Sequence, residues 1–264
     1  MRIKSTSKTI VIYCCAVLAY FVGYKKQPAI LMYHSFDTQK WRHGVSPAEL
    51  ERQLLFLVKE RKVVPLSDIV AFTQGKAKVL ATAIAITVDD GYEDTYTVLF
   101  PFAKKYNTPF TLFLTTDLSL QAQLGNLPRP TWNQLVEMSN SPLVSIQVHG
   151  HSHINFPEVM KQRKQDSEIL QCKALIQQKL GTIASMVAYP AGNHDTFTAG
   201  YLQKEGYEAA FTTHIGVVQK GDNPLLLNRI VVDRNTSLGL FKARLSIGLG
   251  LYTRLVYQIK KIYA

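Results

Sequence analysis

The sequence predicts an α/β fold in which helices flank a parallel sheet, open or closed into a barrel. Three observations carry this. Short apolar runs with β-type composition alternate with segments of helical periodicity along most of the chain, the pattern of repeated strand–helix–strand units. No repeat or low-complexity linker interrupts the alternation. The residues best suited to chemistry fall directly after strands, where parallel sheets of either kind place their sites.

Ala29–Tyr33 reads as the first strand. Ser46-Pro47-Ala48-Glu49 reads as a capping box with proline at the first helical position, opening a helix to about Arg61. Leu50, Leu54, Leu57 and Val58 repeat there at helical spacing and mark the expected buried face. A short helix follows Ser67, and Ala83–Val88 is a strand ending at Asp89-Asp90-Gly91. Next come a helix over Tyr92–Tyr106, a strand over Pro109–Thr115, a helix over Thr131–Met138 and a strand over Leu143–Val148 that ends at His149. One long helix is expected from Pro157 to Leu180. Met186–Tyr189 is a strand, Asp195–Glu205 a helix, and Ala209–Thr213 and Leu227–Val232 are the last strands.

A chain of 264 residues, 47% hydrophobic and 19% charged, builds one sizeable domain with an appendage. Its formal charge of +11 attracts polyanions such as nucleic acid, acidic lipid or acidic glycans. No zinc-finger or RNP-like signature accompanies the charge, so nucleic acid is not an expected partner. Cys14 and Cys15 are adjacent and poorly placed to bridge each other, which leaves Cys172 alone in the rest of the chain. A disulfide framework and a cysteine-built zinc site are therefore excluded, and Cys172 reads as a small buried hydrophobe.

Arg2, Lys4 and Lys8 precede an uncharged run from Thr9 to Tyr24, which Lys25 and Lys26 close. The run is shorter than most spanning helices, about 17–25 residues, and longer than most secretory cores, about 7–15. An uncleaved signal anchor and a cleavable signal peptide both fit. Tyr20, Phe21 and Tyr24 crowd the region where a small-x-small cleavage site would lie, and Tyr13 before Cys14 spoils a lipobox, so the anchor is favoured. The basic flanks place the N-terminus in the cytoplasm and the domain outside. The expected organisation is an anchor over 1–28, a catalytic domain over 29–236 and a basic amphipathic segment over 237–264. That last segment suits either contact with anionic lipid or packing as a terminal helix on the core.

Three segments carry the chemistry. In Thr87-Val88-Asp89-Asp90-Gly91, adjacent carboxylates at a strand end point in different directions, so one can bind a cation while its neighbour accepts a proton. In Val148-His149-Gly150-His151-Ser152-His153, His149 and His153 can reach one ion if the chain turns after the strand. Two imidazoles and a carboxylate would leave coordination positions open, as a catalytic site requires. In Met186-Val187-Ala188-Tyr189-Pro190-Ala191-Gly192, a Pro/Gly turn after a strand can aim backbone N–H groups at a reacting oxygen.

On these motifs the chain resembles the polysaccharide deacetylase family (NodB-like, carbohydrate esterase family 4). The likeness runs from Ala29 to Val232 and is anchored on Leu31-Met32-Tyr33-His34, Thr87–Gly91, His149–His153, Tyr189–Gly192, Gly206-Tyr207, Phe211-Thr212-Thr213 and Leu227-Asn228-Arg229-Ile230. The resemblance implies a deformed (β/α) barrel and a divalent metal, most commonly Zn2+, with Co2+ or Ni2+ also suited to such ligands. It further implies Asp90, His149 and His153 as metal ligands, Asp89 as general base and Ala191 as the donor of an oxyanion-binding N–H. His151 is a bystander.

Two departures stand out. Ala188 occupies the place of an arginine that orients the base in many relatives, and Arg229 is the expected replacement. The Leu-x-x-His that carries the general acid in many relatives is missing. His34, at the end of the first strand, is the favoured substitute and His214 the other. Trp132 and Tyr92 could offer sugar-stacking faces, with core packing as the simpler role; His43 and His194 have no assigned role. The implied activity is removal of N-acetyl groups from a cell-surface amino-sugar polysaccharide, releasing acetate. A non-catalytic glycan-binding or membrane-associated relative, and a deacylase acting on O-acetyl or lipid-linked sugars, are the alternatives.

Overall fold

A computed structural model of the chain describes residues 27–37, 41–120 and 127–246, together with Cys14. The expected anchor over 1–28 falls almost wholly outside the described residues, as does 247–264. Among the described residues no helix is long and apolar enough to cross a membrane.

The expected alternation is present. The strands are β1 (Ala29–Tyr33), β2 (Lys62–Val63), β3 (Ala83–Asp90), β4 (Phe110–Leu114), β5 (Val144–Val148), β6 (Met186–Ala188), β7 (Ala209–Ile215) and β8 (Leu227–Val231). All pair in parallel, in the order β1-β8-β7-β6-β5-β4-β3-β2. Pairing of β1 with β3, from Ala29 with Ile84 to Tyr33 with Val88, closes a seven-strand barrel and leaves β2 as an outrigger. The barrel is deformed at one seam, where β5 and β6 share the single register pair Val148–Val187. Side chains complete that seam: Gln147 Oε1 accepts the Ser185 and Met186 N–H groups at 3.0 and 2.9 Å.

Strand periodicity sorts the core into two layers. Ile30, Ala83, Ala85, Phe113, Met186, Ala188, Ala209, Phe211 and Leu227 form an inner cluster, with small residues leaving room for the Phe113–Phe211 pair. The alternate residues, among them Leu31, Ile84, Ile86, Leu112 and Val187, join the outer cluster with the helices.

Those helices are α1 (Pro47–Glu60), α2 (Leu66–Thr73), α3 (Phe100–Tyr106), α4 (Trp132–Ser139), α5 (Phe156–Lys161), α6 (Gln171–Leu180), α7 (Thr196–Lys204) and α8 (Leu238–Arg244). Ser46 Oγ accepts the Glu49 N–H and caps α1, while the Glu49 carboxylate pairs with Arg52. The reciprocal capping box instead belongs to Thr131 and Gln134 on α4. Val58 is exposed, contrary to expectation, because Gln53 completes the buried face by bonding Tyr33 and Thr236. The segment before α3 contains a π-helical turn, Thr95–Leu99. Pro101, which has no N–H to continue the α-helical ladder, lies just beyond that turn.

The single helix expected over 157–180 is two helices. Arg163 is left-handed (φ 55°), and a second π-turn, Asp166–Leu170, precedes α6. The run across this break, residues 161–168, is wholly polar and contains neither Gly nor Pro, so no residue that commonly ends a helix marks it in the sequence. Cys172 is fully buried, its thiol pushed up to about 12 by burial, as suits an inert packing residue. At the start of the C-terminal segment, α8 buries Phe241 against Phe56 of α1, so this portion packs on the core.

Gly192 locks the turn after β6. Its φ is +72°, and a Cβ there would lie 2.1 Å from Thr213 Oγ1. Gly181 has a similar φ of +68° with open space around it. Gly192→Ala is expected to lower the melting temperature by several degrees, a loss of about 1–3 kcal/mol or more. Gly181→Ala should lower it less, the difference in calorimetry reporting the clash.

Candidate active site

Period-two alternation separates the two adjacent aspartates. Asp89 shares the inward face of Ala83, Ala85 and Thr87, whereas Asp90 belongs to the other face. The chain leaves β3 through two left-handed residues, Asp90 (φ 73°) and Gly91 (φ 81°). The left-handed φ at Gly91 is strained for any other residue, and a Cβ there would also press within 2.6 Å of Leu114 Cδ1.

Asp89 meets Arg229 of β8. The guanidinium donates from Nη1 and Nη2 to the two carboxylate oxygens, each at 2.7 Å. Nε donates to the Thr212 carbonyl at 2.9 Å, and the cation lies over the Phe113 ring. Arg229 is 0% exposed, so the pair is fully desolvated. Burial pushes the Asp89 carboxyl up, but the Arg229 and His149 charges outweigh it and hold it below the usual carboxylate range. A carboxylate so held is ionised at neutral pH, ready to accept a proton.

Asp90 meets the histidines of the β5 end. Its Oδ2 accepts the Tyr92 hydroxyl at 3.0 Å. Its Oδ1 is buried with no hydrogen-bond partner and lies 3.3 Å from Nε2 of both His149 and His153. The His149 Nδ1 lies 2.9 Å from the Ala188 carbonyl, which assigns a proton to Nδ1 and leaves Nε2 as the ring atom facing Asp90. Burial raises the Asp90 carboxyl and the imidazoles lower it, with a net position well below the ordinary value.

One ligand atom from each of Asp90, His149 and His153 falls within 4.8 Å of the others. Metal bonds of about 2.0–2.1 Å at tetrahedral angles place ligand atoms roughly 3.3–3.4 Å apart. The 3.3 Å spacings to an orphaned carboxylate oxygen therefore fit a small divalent cation. His151 stays outside this group, its Nδ1 3.0 Å from Thr116 Oγ1.

Both sets open into one cavity of about 600 Å³ that His34, Trp41, His43 and Ala191 also line. His34 follows β1, is half-buried at the cavity, and faces the His43 ring at 4.9 Å. Burial lowers its pKa, partly opposed by Asp90 and Asp89. Asp94 fixes this corner: its Oδ2 accepts the Ser35 hydroxyl at 2.5 Å and the Phe36 N–H at 2.8 Å. Burial raises the Asp94 carboxyl to about 6. His214 is exposed and meets the His194 ring edge to face, and it does not line this cavity. Ala191 is left-handed (φ 53°) in the turn after β6, and it lines the cavity there.

Every expected site residue except the alternative His214 thus reaches one cavity or, for Arg229, its base. Trp132 packs half-buried on the core. Tyr92 is buried and bonds the candidate ligand Asp90, a role its sequence position alone did not reveal. Trp41 and His43 also line the cavity, and the only sequence signal for them is their position in the loop after the first strand.

Removing one partner of a buried ion pair strands the other. Arg229→Gln should lose about 3–5 kcal/mol in denaturant unfolding, and adding Asp89→Asn should recover part of it. Asp89, depressed when folded, contributes stability above its unfolded value of about 3.9, a contribution lost as pH falls through the folded value. That component of the acid-side loss of stability should be absent in Asp89→Asn.

Comparison with known proteins matches the chain over the segments that build this site. The polysaccharide deacetylase family model matches residues 76–210, which contain Asp89, Asp90, His149, His153 and Ala191. YxkH of Bacillus subtilis (strain 168), provisionally named a polysaccharide deacetylase, is 28% identical over 216 residues, 81% of this chain and 74% of its own length. The poly-beta-1,6-N-acetyl-D-glucosamine N-deacetylase of Staphylococcus aureus (strain MRSA252) is 22% identical over 208 residues, 76% of this chain and 71% of its own. In fold, the chain matches IcaB from Ammonifex degensii with a TM-score of 0.73 at 22% identity, over 84% of this chain and 98% of that one. The Streptococcus pyogenes deacetylase PplD matches with a TM-score of 0.72 at 23% identity, over 84% and 99%. By its sequence match and its barrel, this chain belongs to the polysaccharide deacetylase family.

Proposed function

We propose that this polysaccharide deacetylase removes N-acetyl groups from an amino-sugar polysaccharide at the cell surface, releasing acetate, and does so with a divalent metal. The observation that carries the reading is the convergence of the Asp89–Arg229 pair and the Asp90, His149 and His153 cluster on one cavity. The amino-sugar substrate is supported by the printed activity of the Staphylococcus aureus relative. The surface location is supported by the basic-flanked uncharged run within residues 1–28.

Asp90, His149 and His153 would hold the cation, zinc first and cobalt or nickel as alternatives. When bound, it supplies polarisation of the acetamide carbonyl and a lowered pKa for water. Asp89, kept ionised and oriented by Arg229, takes the proton of the attacking water. The Ala191 N–H is offered to the oxygen that gains negative charge. His34 gives a proton to the departing amine; burial reduces its basicity, so a proton placed there is readily surrendered. A non-catalytic role gives no reason for a desolvated base and a ligand cluster to share an accessible cavity.

Purified full-length protein should release acetate and free amine in equal amounts from acetylated glucosamine oligomers. A chelator should stop release, and zinc, cobalt or nickel should restore it. Full activity in chelator would sink the metal reading, and release from O-acetylated glycans alone would sink the amide reading. His34→Asn should lower kcat about 10²–10⁴-fold with little change in KM. The full chain should sediment with membranes; recovery in the soluble fraction would refute the anchor.

A further inference from the structure

We propose that Glu168 is a positioning residue for the metal site, holding the Gly150–His153 loop in the shape that brings His153 to Asp90. The assignment rests on reading Asp90, His149 and His153 as metal ligands. The loop is not one the chain adopts by default. Gly150 has φ +86° and His153 φ +60°, and a non-glycine residue in the left-handed region persists only where its surroundings over-determine it. Most of that determination comes from one side chain and its own backbone.

Glu168 Oε2 accepts the Ser152 N–H at 2.9 Å, and Oε1 accepts the Ser152 hydroxyl at 2.5 Å. The Glu168 carbonyl accepts the His151 N–H at 2.8 Å. Two consecutive loop residues, immediately before His153, are thus gripped by three acceptors of a single residue. On its other side the loop is tied to the β4 exit, where Thr116 and Asp117 donate to the Gly150 and His151 carbonyls at 3.3 and 2.9 Å. Between these clamps the backbone has little freedom to place the His153 ring elsewhere.

Two further observations separate this from ordinary packing. Glu168 is 5% exposed, and among the described residues its carboxylate forms no ion pair with a lysine or arginine. Burying a carboxylate without a counter-charge costs several kcal/mol, which a purely structural staple could avoid with a neutral side chain. It also lies within the π-turn Asp166–Leu170, where Gln171 N–H bonds Asp166 O and the α-helical ladder is interrupted. Such turns within α-helices concentrate at functional sites.

The test is metal affinity, measured by chelator competition with Zn2+ on the full chain, together with the visible absorption of the Co2+-loaded protein and the melting temperature without metal. Glu168→Ala should weaken zinc binding about 10–100-fold and alter the cobalt spectrum. Glu168→Gln, which keeps one acceptor for Ser152, should fall between it and wild type. If Glu168→Ala does not fold, Ser152→Ala carries the test, with zinc binding expected to weaken several-fold. Unchanged affinity and spectrum in the folded variant, with only the melting temperature lowered, would overturn the assignment and leave Glu168 a structural staple. Wild-type protein that binds neither ion would overturn the metal reading and this assignment with it.

Discussion

The buried pair of Asp89 and Arg229 is the interaction around which the barrel and its site are organised. It links β3 to β8 across the barrel interior, above the Phe113–Phe211 layer, while β1 pairs with both strands. Two opposite charges removed from water gain only where every remaining hydrogen-bonding position is also filled. Thr212 and Thr87 fill two of those positions on the guanidinium. The same constraint that keeps the pair from being a liability fixes the direction of Asp89, so the orientation of a candidate base is inherited from the closure of the sheet.

Neighbouring carboxylates with opposite tasks follow from strand geometry. A two-residue side-chain period sends Asp89 inwards to an arginine and Asp90 outwards to two imidazoles, so each meets a different partner within one peptide unit. The left-handed turn at Asp90 and Gly91 then ends the strand at the rim, where the cavity opens. Burial acts on both groups in the same direction, and their partners counter it by different means: a fixed cation for Asp89, and imidazoles that can share a metal for Asp90.

Much of this was legible in the sequence because it depends on period and on strand ends. The strands of the barrel, the candidate ligand trio and the partnership of Arg229 with Asp89 all follow from local pattern or from motif position. What a linear reading does not show depends on contacts far apart in the chain. Val58 was displaced from the buried face by the polar Gln53, which periodicity of apolar residues does not count. The break at Arg163 is hidden because the polar run around it holds neither Gly nor Pro, and the two-residue β2 is too short to show a period. Glu168 and Asp94 look like solvated helix charges in a linear reading. Only the folded chain brings them to the loops that carry His153 and His34.

The poorly laddered seam between β5 and β6 gives one histidine a double duty. With a single backbone register pair there, the strands are stitched by Gln147 near the lower end and by the His149 ring on the Ala188 carbonyl near the rim. His149 is therefore a rivet of the barrel wall as well as a candidate ligand. Exchanging it loosens the wall beside the Ala191 turn at the same moment that it removes a candidate ligand, whereas exchanging His153 leaves that stitching intact. Of the two imidazoles, His153 is the one whose loss isolates coordination from architecture.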